Sequence, residues 1–296
     1  MLKLPGIMPA MVTPFTKGGK SVDYEKACAV AEDLVKRGAH GLYVAGTTGE
    51  GMLMTTEERK KLLEEVVRCV GKKCNVVAQT GCIDTATTID LSRHAFEAGA
   101  KAVGVVAPYF YGYDEEALKG HYRAIARAAG GPVLLYDIPS CTGNELSVDL
   151  IVELVESEEN IIGMKESHRD IIKFNQLAMR LPKHFNLING CDEYSYQAYL
   201  SGGTGSVSGT ANVVLELILG VYENVQKKDL KKAAEFQGRL NQACAVLAYG
   251  RLIARFKEGA RLRGVDAGYV RPPQRELSAK EKRDFAAALQ KARVIK

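Results

Sequence analysis

A lysine and a tyrosine each end an apolar run of the sequence. Lys165 follows residues 161–164, and Tyr136 follows residues 133–135. If both runs are buried strands, desolvation disfavours the ammonium form of the lysine, so its amine can attack a carbonyl and form a Schiff base. The phenol of Tyr136 would then carry the protons that a carbinolamine needs. Spacing alone leaves two plainer readings open: Lys165 marks the exit of a strand and pairs with Glu166, and Tyr136 is structural.

The GTTGE segment, residues 46–50, follows another apolar run. Its glycines permit a tight turn and expose backbone amides, so the hydroxyls and N–H groups of Thr47 and Thr48 can hold a substrate carboxylate. The same pattern also suits an ordinary turn.

Two acidic residues, Asp192 and Glu193, follow a later apolar run. They can bind a metal, cap the following helix or accept hydrogen bonds from substrate hydroxyls. The glycine-rich segment 201–209 lacks Walker spacing and leads into a strand, so close backbone packing is the favoured interpretation. The five histidines show no H-x-x-x-H pair, and we expect neither a metal nor another cofactor.

The composition is that of a globular protein. The 296 residues are 46% hydrophobic and 25% charged, with 40 basic and 35 acidic side chains. The basic residues occur in short mixed runs typical of solvated helix faces, so we expect no nucleic-acid partner. The prolines of the N-terminal segment argue against a signal peptide, and no apolar stretch reaches the length of a membrane span. The seven cysteines are scattered and contain no C-x-x-C, which predicts neither a disulfide framework nor a zinc site and favours the reducing cytoplasm.

The order of elements predicts the fold. Apolar runs alternate with amphipathic helical patterns, as in repeated β-α units. Eight such units predict an α/β fold, a (β/α)8 TIM barrel, rather than an open doubly wound sheet, since no G-x-G-x-x-G follows an early strand. We expect residues 1–225 to form the barrel and residues 226–296 a C-terminal helical domain outside it. The eight predicted strands are GIMPAMVTP, GLYVAG, NVVAQTG, AVGVVAP, PVLLYDIP, IIGMKES, FNLING and GSVSGTAN.

Three motifs in this order resemble one enzyme family. GTTGE at 46–50, YDIPSCTG at 136–143 and GMKES at 163–167, with VTPFT at 12–16 and GTAN at 209–212, are similar to the dihydrodipicolinate synthase and N-acetylneuraminate lyase family of class I pyruvate aldolases. The resemblance spans essentially the whole chain. It implies a lyase that joins or splits pyruvate and an aldehyde, and a homotetramer built from dimers.

The resemblance also implies residue roles. Lys165 would form the imine with pyruvate, Tyr136 would shuttle protons, Thr47 would relay them and Thr48 would grip the pyruvate carboxylate. Further candidates for substrate binding are Gly46, Val207 through its backbone, and Ser167.

Two residues depart from the family pattern. Dihydrodipicolinate synthases carry an arginine at the position of Cys141, where it holds the carboxylate of aspartate semialdehyde, and a thiol cannot supply that bidentate cation. At Phe110 the family typically has a tyrosine that reaches into the neighbouring subunit, so Tyr109 or Tyr111 substitutes for it or the relay is shorter.

The segment NGCDEYS, residues 189–195, resembles the neuraminate lyase pattern N-G-x-D-E, whose acidic pair contacts sugar hydroxyls. The favoured substrate is therefore an N-acetylneuraminate or 2-keto-3-deoxy sugar acid. The alternative is 4-hydroxy-tetrahydrodipicolinate (dihydrodipicolinate) synthase, with Arg169 or Arg251 supplying the missing cation. A hypothesis from another class, a ligand-binding relative without turnover, is disfavoured by the intact lysine, tyrosine and GTTGE segment.

Overall fold

Eight parallel strands form one sheet in the computed structural model of the chain, which describes residues 2–248 and 252–292. β1 pairs with β8, and the remaining strands follow in sequence order down to β2. Ala10 bridges to Tyr43, and Met11 N donates to Tyr43 O at 3.0 Å, so the sheet closes on itself. The predicted (β/α)8 barrel is confirmed. Its strands are β1 Gly6–Pro9, β2 Gly41–Val44, β3 Asn75–Gln79, β4 Ala102–Val106, β5 Val133–Asp137, β6 Ile161–Glu166, β7 Asn186–Asn189 and β8 Gly205–Ser208.

Helices follow the strands, and their ends are set by capping residues. The side chain of Thr55 accepts from Glu58 N while the Glu58 carboxylate accepts from Thr55 N, a capping box at the start of the helix Thr56–Val70. The helices of the described residues are α1 Tyr24–Lys36, α2 Thr56–Val70, α3 Thr85–Glu97, α4 Glu115–Ala128, α5 Pro139–Thr142, α6 Val148–Ser157, α7 Ile171–Arg180, α8 Ser195–Leu200, α9 Ala211–Gln226, α10 Leu230–Val246, α11 Ile253–Leu262 and α12 Ala279–Lys291.

Both faces of the barrel wall are buried, as the unbroken apolar runs predicted. Alternate side chains of each strand point outward to the helices or inward to the barrel axis. The inward side chains form an inner cluster that fills the barrel. Its buried members are Leu4, Met8, Ala10, Tyr43, Val77, Ala102, Val106, Leu134, Tyr136, Ile162, Ile188 and Val207.

A β-bulge in β6 decides where Lys165 points. Val133 pairs with Ile161, but Leu134 pairs with Gly163, so the register shifts by one residue. Ile162 lies in the inner cluster, and strict alternation from it would turn Lys165 outward. The bulge reverses this order, and Lys165 faces inward opposite Tyr136.

The eighth strand is shorter than predicted. β8 ends at Ser208 rather than near Asn212, and α9 begins at Ala211. The hydroxyl of Ser208 accepts from Ala211 N at 3.1 Å, so the GTAN segment forms the turn and first residues of the helix instead of a strand.

One pair of cysteines departs from the expectation of no disulfide. Cys28 of α1 and Cys69 of α2 are disulfide-bonded, with their Cα atoms 5.9 Å apart. The two helices pack side by side on the barrel, and this contact between distant segments leaves no mark in the local cysteine spacing. The free cysteines of the described residues are Cys74, Cys82, Cys141, Cys191 and Cys244.

The C-terminal helical extension packs against the end of the barrel. α10 and α11 both contact α9, and α12 contacts α10 and α11. In the described part of the chain, no helix combines the length and apolar character needed to cross a membrane.

Candidate active site

A cavity of about 460 Å³ opens at the carboxyl ends of the barrel strands, where barrel enzymes place their chemistry. Most of the candidate site residues predicted from the sequence line this cavity. The described lining residues are Ala10, Thr47, Thr48, Tyr136, Ile138, Ser140, Cys141, Lys165, Ser167, His168, Arg169, Gly190, Cys191, Asp192, Glu193, Val207, Gly209, Thr210, Cys244 and Phe256.

Lys165 and Tyr136 lie side by side on adjacent strands. They are direct partners in the β5–β6 register, and both are more than nine-tenths buried. Lys165 Nζ lies 4.0 Å from the centroid of the Tyr136 ring and 5.1 Å from that of Tyr43. Its neighbour Glu166 points to the other side of the strand, and the ion pairs of the described residues do not join the two. The amine therefore faces the cavity and not a carboxylate, which argues against the strand-exit reading.

The hydroxyl of Thr47 connects the GTTGE loop, residues 46–50, to this pair. Thr47 Oγ1 and Tyr136 Oη share a hydrogen bond of 3.3 Å. Thr48 lines the same cavity, and a Cβ at Gly209 would lie 3.0 Å from its Oγ1. Two hydroxyls of one loop thus border the space above Lys165.

Gly46 begins this loop but is not among the described residues lining the cavity. A Cβ there would come within 3.0 Å of the Tyr43 ring. Its contribution in this structure is close packing of the backbone.

Asp192 is buried and does not cap a helix. Its Oδ2 accepts from Ser208 Oγ at 2.8 Å and from Thr210 Oγ1 at 2.6 Å. Within the described residues its Oδ1 is buried and has no hydrogen-bond partner. Burial raises the pKa of Asp192 to about 6. One oxygen is therefore fixed by the barrel, while the other is buried without a hydrogen-bond partner among the described residues.

Glu193 is paired with a cation that also lines the cavity. Arg169 Nη2 lies 2.9 Å from Glu193 Oε1, and the arginine side chain is about half exposed. Cys141 is an exposed residue of α5 at the same cavity. The mouth therefore carries one balanced ion pair and a thiol.

Ser167 and Val207 border the cavity floor. The Ser167 hydroxyl is buried and has no partner within the described residues. Gly190 must lack a side chain because a Cβ there would lie 1.8 Å from Ser167 Oγ. Val207 belongs to β8 and is buried in the inner cluster.

Tyr109 and Phe110 lie away from the cavity, and neither is among its described lining residues. Tyr109 is half-buried against the inner cluster. Phe110 has a φ of 81° and is 81% exposed, with its ring edge-on to that of Tyr111 at 4.9 Å. Within one chain these aromatic residues do not complete the Tyr136–Thr47 pair.

A charged cluster lies beside the ends of β5 and β6. Lys173 Nζ is 2.6 Å from Asp137 Oδ2 and 3.0 Å from Glu145 Oε1. His168 Nδ1 lies 3.1 Å from the same Glu145 oxygen. Asp137, Glu145 and His168 offer ligand atoms close enough together to hold a cation, and the ammonium of Lys173 occupies the place between the two carboxylates.

Glu166 is a fully buried carboxyl beside this cluster. Its Oε1 accepts from His168 N at 2.5 Å, and its Oε2 has no partner within the described residues. Burial, reinforced by the nearby Asp137 charge, raises the pKa of Glu166 to about 8.

We predict that Glu166→Gln removes a pH dependence of stability. The folded protein holds the Glu166 proton between pH 4.5 and 8 whereas the unfolded chain releases it, so wild-type stability falls through this window. Relative to the wild type, the variant should gain roughly 1.4 kcal/mol of unfolding free energy per pH unit there. Urea unfolding at several pH values measures the difference, and parallel curves for the two proteins would show that Glu166 is ionised in the fold.

Some of the residues that line the cavity were not predicted from the sequence. Cys244 and Phe256 come from α10 and α11 of the extension, and their helical patterns carry no sign of a site. His168 also lines the cavity, and its sequence spacing matches no metal site. Arg169 was considered as an alternative cation, and the structure brings it to the cavity; Arg251, the other, lies outside the described residues.

The sequence is similar to that of known proteins over nearly its whole length. The profile of the dihydrodipicolinate synthetase family matches residues 3–292. The chain is 35% identical over 289 residues to the 4-hydroxy-tetrahydrodipicolinate synthase of Moorella thermoacetica, covering 98% of each chain. It is also 35% identical over 288 residues to an uncharacterized DapA-like lyase of Halobacterium salinarum, covering 97% of this chain and 94% of that one.

Solved structures show the same fold. YagE from E. coli K12, a prophage protein of the dihydrodipicolinic acid synthase family solved in complex with pyruvate, superposes with a TM-score of 0.95 and 28% identity. The superposition covers 99% of this chain and all of YagE.

Proposed function

Because the chain belongs to the dihydrodipicolinate synthetase family of pyruvate-aldolase-type lyases, we propose that it cleaves a polyhydroxylated 2-keto acid to pyruvate and an aldehyde. The observation that carries the proposal is the placement of the Lys165 amine in the cavity, over the Tyr136 ring and away from any paired carboxylate. An N-acetylneuraminate or 2-keto-3-deoxy sugar acid is the favoured substrate.

The reaction begins with imine formation. The unprotonated Lys165 amine attacks the C2 carbonyl of the keto acid, and the carbinolamine loses water to give a protonated imine. The bond between C3 and C4 then breaks as a proton leaves the C4 hydroxyl, and its electron pair moves into the imine. An aldehyde departs, and protonation and hydrolysis of the remaining enamine release pyruvate and regenerate the amine.

Proton transfer is assigned to the Tyr136 phenol, which lies beside Lys165 at the point where water is lost. Thr47 shares a hydrogen bond with this phenol and relays the proton. Thr48 from the same loop, Ser167 and the backbone of Val207 would hold the carboxylate of the pyruvate half of the substrate.

The second half of the substrate is assigned to Cys141, Asp192 and Glu193. A thiol at position 141 cannot bind a second carboxylate as a guanidinium does. The Oδ1 of Asp192 is buried without a partner among the described residues, and a small movement of the side chains around it would let it accept a hydrogen bond from a substrate hydroxyl. These features favour a sugar-derived aldehyde.

The synthase reaction remains the second candidate, and Arg169 favours it. Its guanidinium lines the cavity and could meet the carboxylate of aspartate semialdehyde, although this requires competition with Glu193 at 2.9 Å. Relatives named 4-hydroxy-tetrahydrodipicolinate synthase are consistent with that reaction. No metal or cofactor is invoked for either reaction, because the imine itself accepts the electron pair.

A substrate panel tests the proposed function. We expect pyruvate release from at least one keto sugar acid to exceed condensation of pyruvate with aspartate semialdehyde, in assays run side by side. Cys141→Arg should improve the condensation, because it restores a bidentate contact whose hydrogen bonds contribute about 1.5 to 3 kcal/mol each. If the wild type condenses aspartate semialdehyde with pyruvate faster than it cleaves any keto sugar acid, and Cys141→Arg brings no gain, the synthase reaction would be assigned to the protein. The role of the cation would then be assigned to Arg169.

We predict that Asp192→Asn raises the Michaelis constant for the keto sugar acid by about 10-fold to 100-fold, because a charge-assisted hydrogen bond to a hydroxyl is lost. Glu193→Gln should act in the same direction. Borohydride trapping of pyruvate on either variant should match the wild type, since both residues act on the aldehyde half. If Asp192→Asn instead lowered pyruvate trapping as much as it raised the Michaelis constant, Asp192 would act in imine formation.

For assembly, we propose a homotetramer built from dimers that acts in the cytoplasm. The exposed rings of Phe110 and Tyr111 support a subunit contact through this loop, where Tyr109 or Phe110 would approach the neighbouring site. The free cysteines support a reducing compartment, whereas the Cys28–Cys69 disulfide counts against it.

A further inference from the structure

The GTTGE loop, residues 46–50, has a backbone that its own sequence does not favour. Ala45 has a φ of 58° and Glu50 a φ of 55°, left-handed conformations that residues with a Cβ rarely adopt. Two turn hydrogen bonds close the loop, from Glu50 N to Thr47 O and from Gly51 N to Gly46 O, each 3.1 Å. Such a conformation persists only when the surrounding structure holds it.

The restraint comes from the C-terminal extension. Glu50 is 4% exposed, and its Oε1 lies 2.6 Å from Nζ of Lys257, a residue of α11 that is 2% exposed. Glu50 Oε2 accepts from Arg271 N at 2.9 Å. Both carboxylate oxygens of the loop's last residue are therefore bound by residues more than 200 positions away in sequence.

Lys257 is itself fixed on every side. Its ammonium donates to Thr13 O at 2.6 Å and to Tyr269 O at 2.5 Å, besides pairing with Glu50. It lies 4.7 Å from the centroid of the Phe15 ring. The ammonium thus joins the segment after β1, the C-terminal extension and the GTTGE loop at one buried point.

We propose that Lys257 is a positioning residue for the lyase reaction, acting through Glu50 to hold Thr47 of the GTTGE loop against Tyr136 and Thr48 at the cavity. The inference rests on the proposed function for the roles of the two hydroxyls. Thr47 is three residues from Glu50 and within 3.3 Å of the Tyr136 hydroxyl, so release of Glu50 would displace the relay. Through Lys257, the C-terminal extension therefore contributes to proton transfer, although Lys257 itself does not touch the substrate.

Hydrogen exchange of the loop amides tests the restraint without relying on activity. Lys257→Met should speed exchange of the Glu50 and Gly51 amides by about tenfold or more, because their turn loses its support. Arg127→Met is the control for loss of an ion pair elsewhere, since it removes an exposed arginine that lies 2.8 Å from the buried carboxylate of Glu158, and neither residue is among the described residues that line the cavity. Unchanged loop exchange in Lys257→Met, or equal acceleration in the control, would overturn the proposal.

Double-variant kinetics test whether Lys257 acts through the relay. Thr47→Val and Lys257→Met should each lower kcat by about tenfold, and the combined variant should lose little more than the worse single variant. If Lys257 acted independently of Thr47, the loss in the combined variant would equal the product of the two single-variant losses. The combination of Thr47→Val with Arg127→Met is the control, and its loss should equal that product.

Removal of one charge from a buried pair can prevent folding. Glu50→Gln with Lys257→Met removes both charges and supplies a second background for the same measurements, with the same expected results. If the wild type forms no imine with pyruvate, the proposed function fails, while the exchange measurement still decides whether Lys257 holds the loop.

Discussion

Replacement of Lys165 by alanine is expected to lower keto acid cleavage by roughly 10⁴-fold or more, because no other described residue that lines the cavity carries an amine that can form the imine. The fold should survive, since Lys165 Nζ contacts aromatic rings rather than a paired carboxylate. Steady-state kinetics with thermal unfolding of the same samples measure both effects.

Lys165→Arg is the matched control for charge. It keeps a cation near the Tyr136 ring but has no amine that can condense with a ketone. It should be as inactive as the alanine variant. Retention of more than about 1% of wild-type turnover by either variant would contradict the covalent mechanism.

Tyr136→Phe is expected to lower turnover by about 10²-fold or more, because the variant keeps the ring over Lys165 but loses the hydroxyl that carries protons. Thr47→Val should cause a smaller loss, since it removes only the partner of that hydroxyl. Purified variants assayed under saturating keto acid give the comparison directly.

Phe110→Tyr tests whether proton transfer depends on Tyr136 or on the aromatic residues 109–111. Phe110 is 81% exposed and does not line the cavity of its own chain. Its substitution should change turnover far less than the loss of the Tyr136 hydroxyl. Comparable changes in both variants, or full activity of Tyr136→Phe, would show that the proton carrier is misassigned.

Much of the barrel was predictable because buried parallel strands leave long apolar runs in the sequence. The end of an apolar run also located Lys165 and Tyr136 at the barrel mouth. Their mutual orientation was not predictable in the same way, since the bulge at β6 depends on the pairing of Leu134 with Gly163 across two strands. Only that register turns the lysine inward.

The parts that the sequence did not reveal all depend on contacts between distant segments. The ion pair of Arg169 with Glu193 joins two loops, and the disulfide joins Cys28 of α1 to Cys69 of α2. The tether of Glu50 to Lys257 spans most of the chain. None of these partners is marked by local spacing, so each required the folded arrangement.

The most direct test of the central claim is borohydride trapping followed by mass spectrometry. Incubation of the protein with pyruvate and borohydride should add the mass of one pyruvate less one water plus two hydrogens per chain, and peptide mapping should place it on Lys165, because the imine forms with loss of water and its reduction gives a stable amine. Lys165→Ala should show no such addition. A wild-type protein without added mass, or an adduct that persists in Lys165→Ala, would contradict the proposed mechanism.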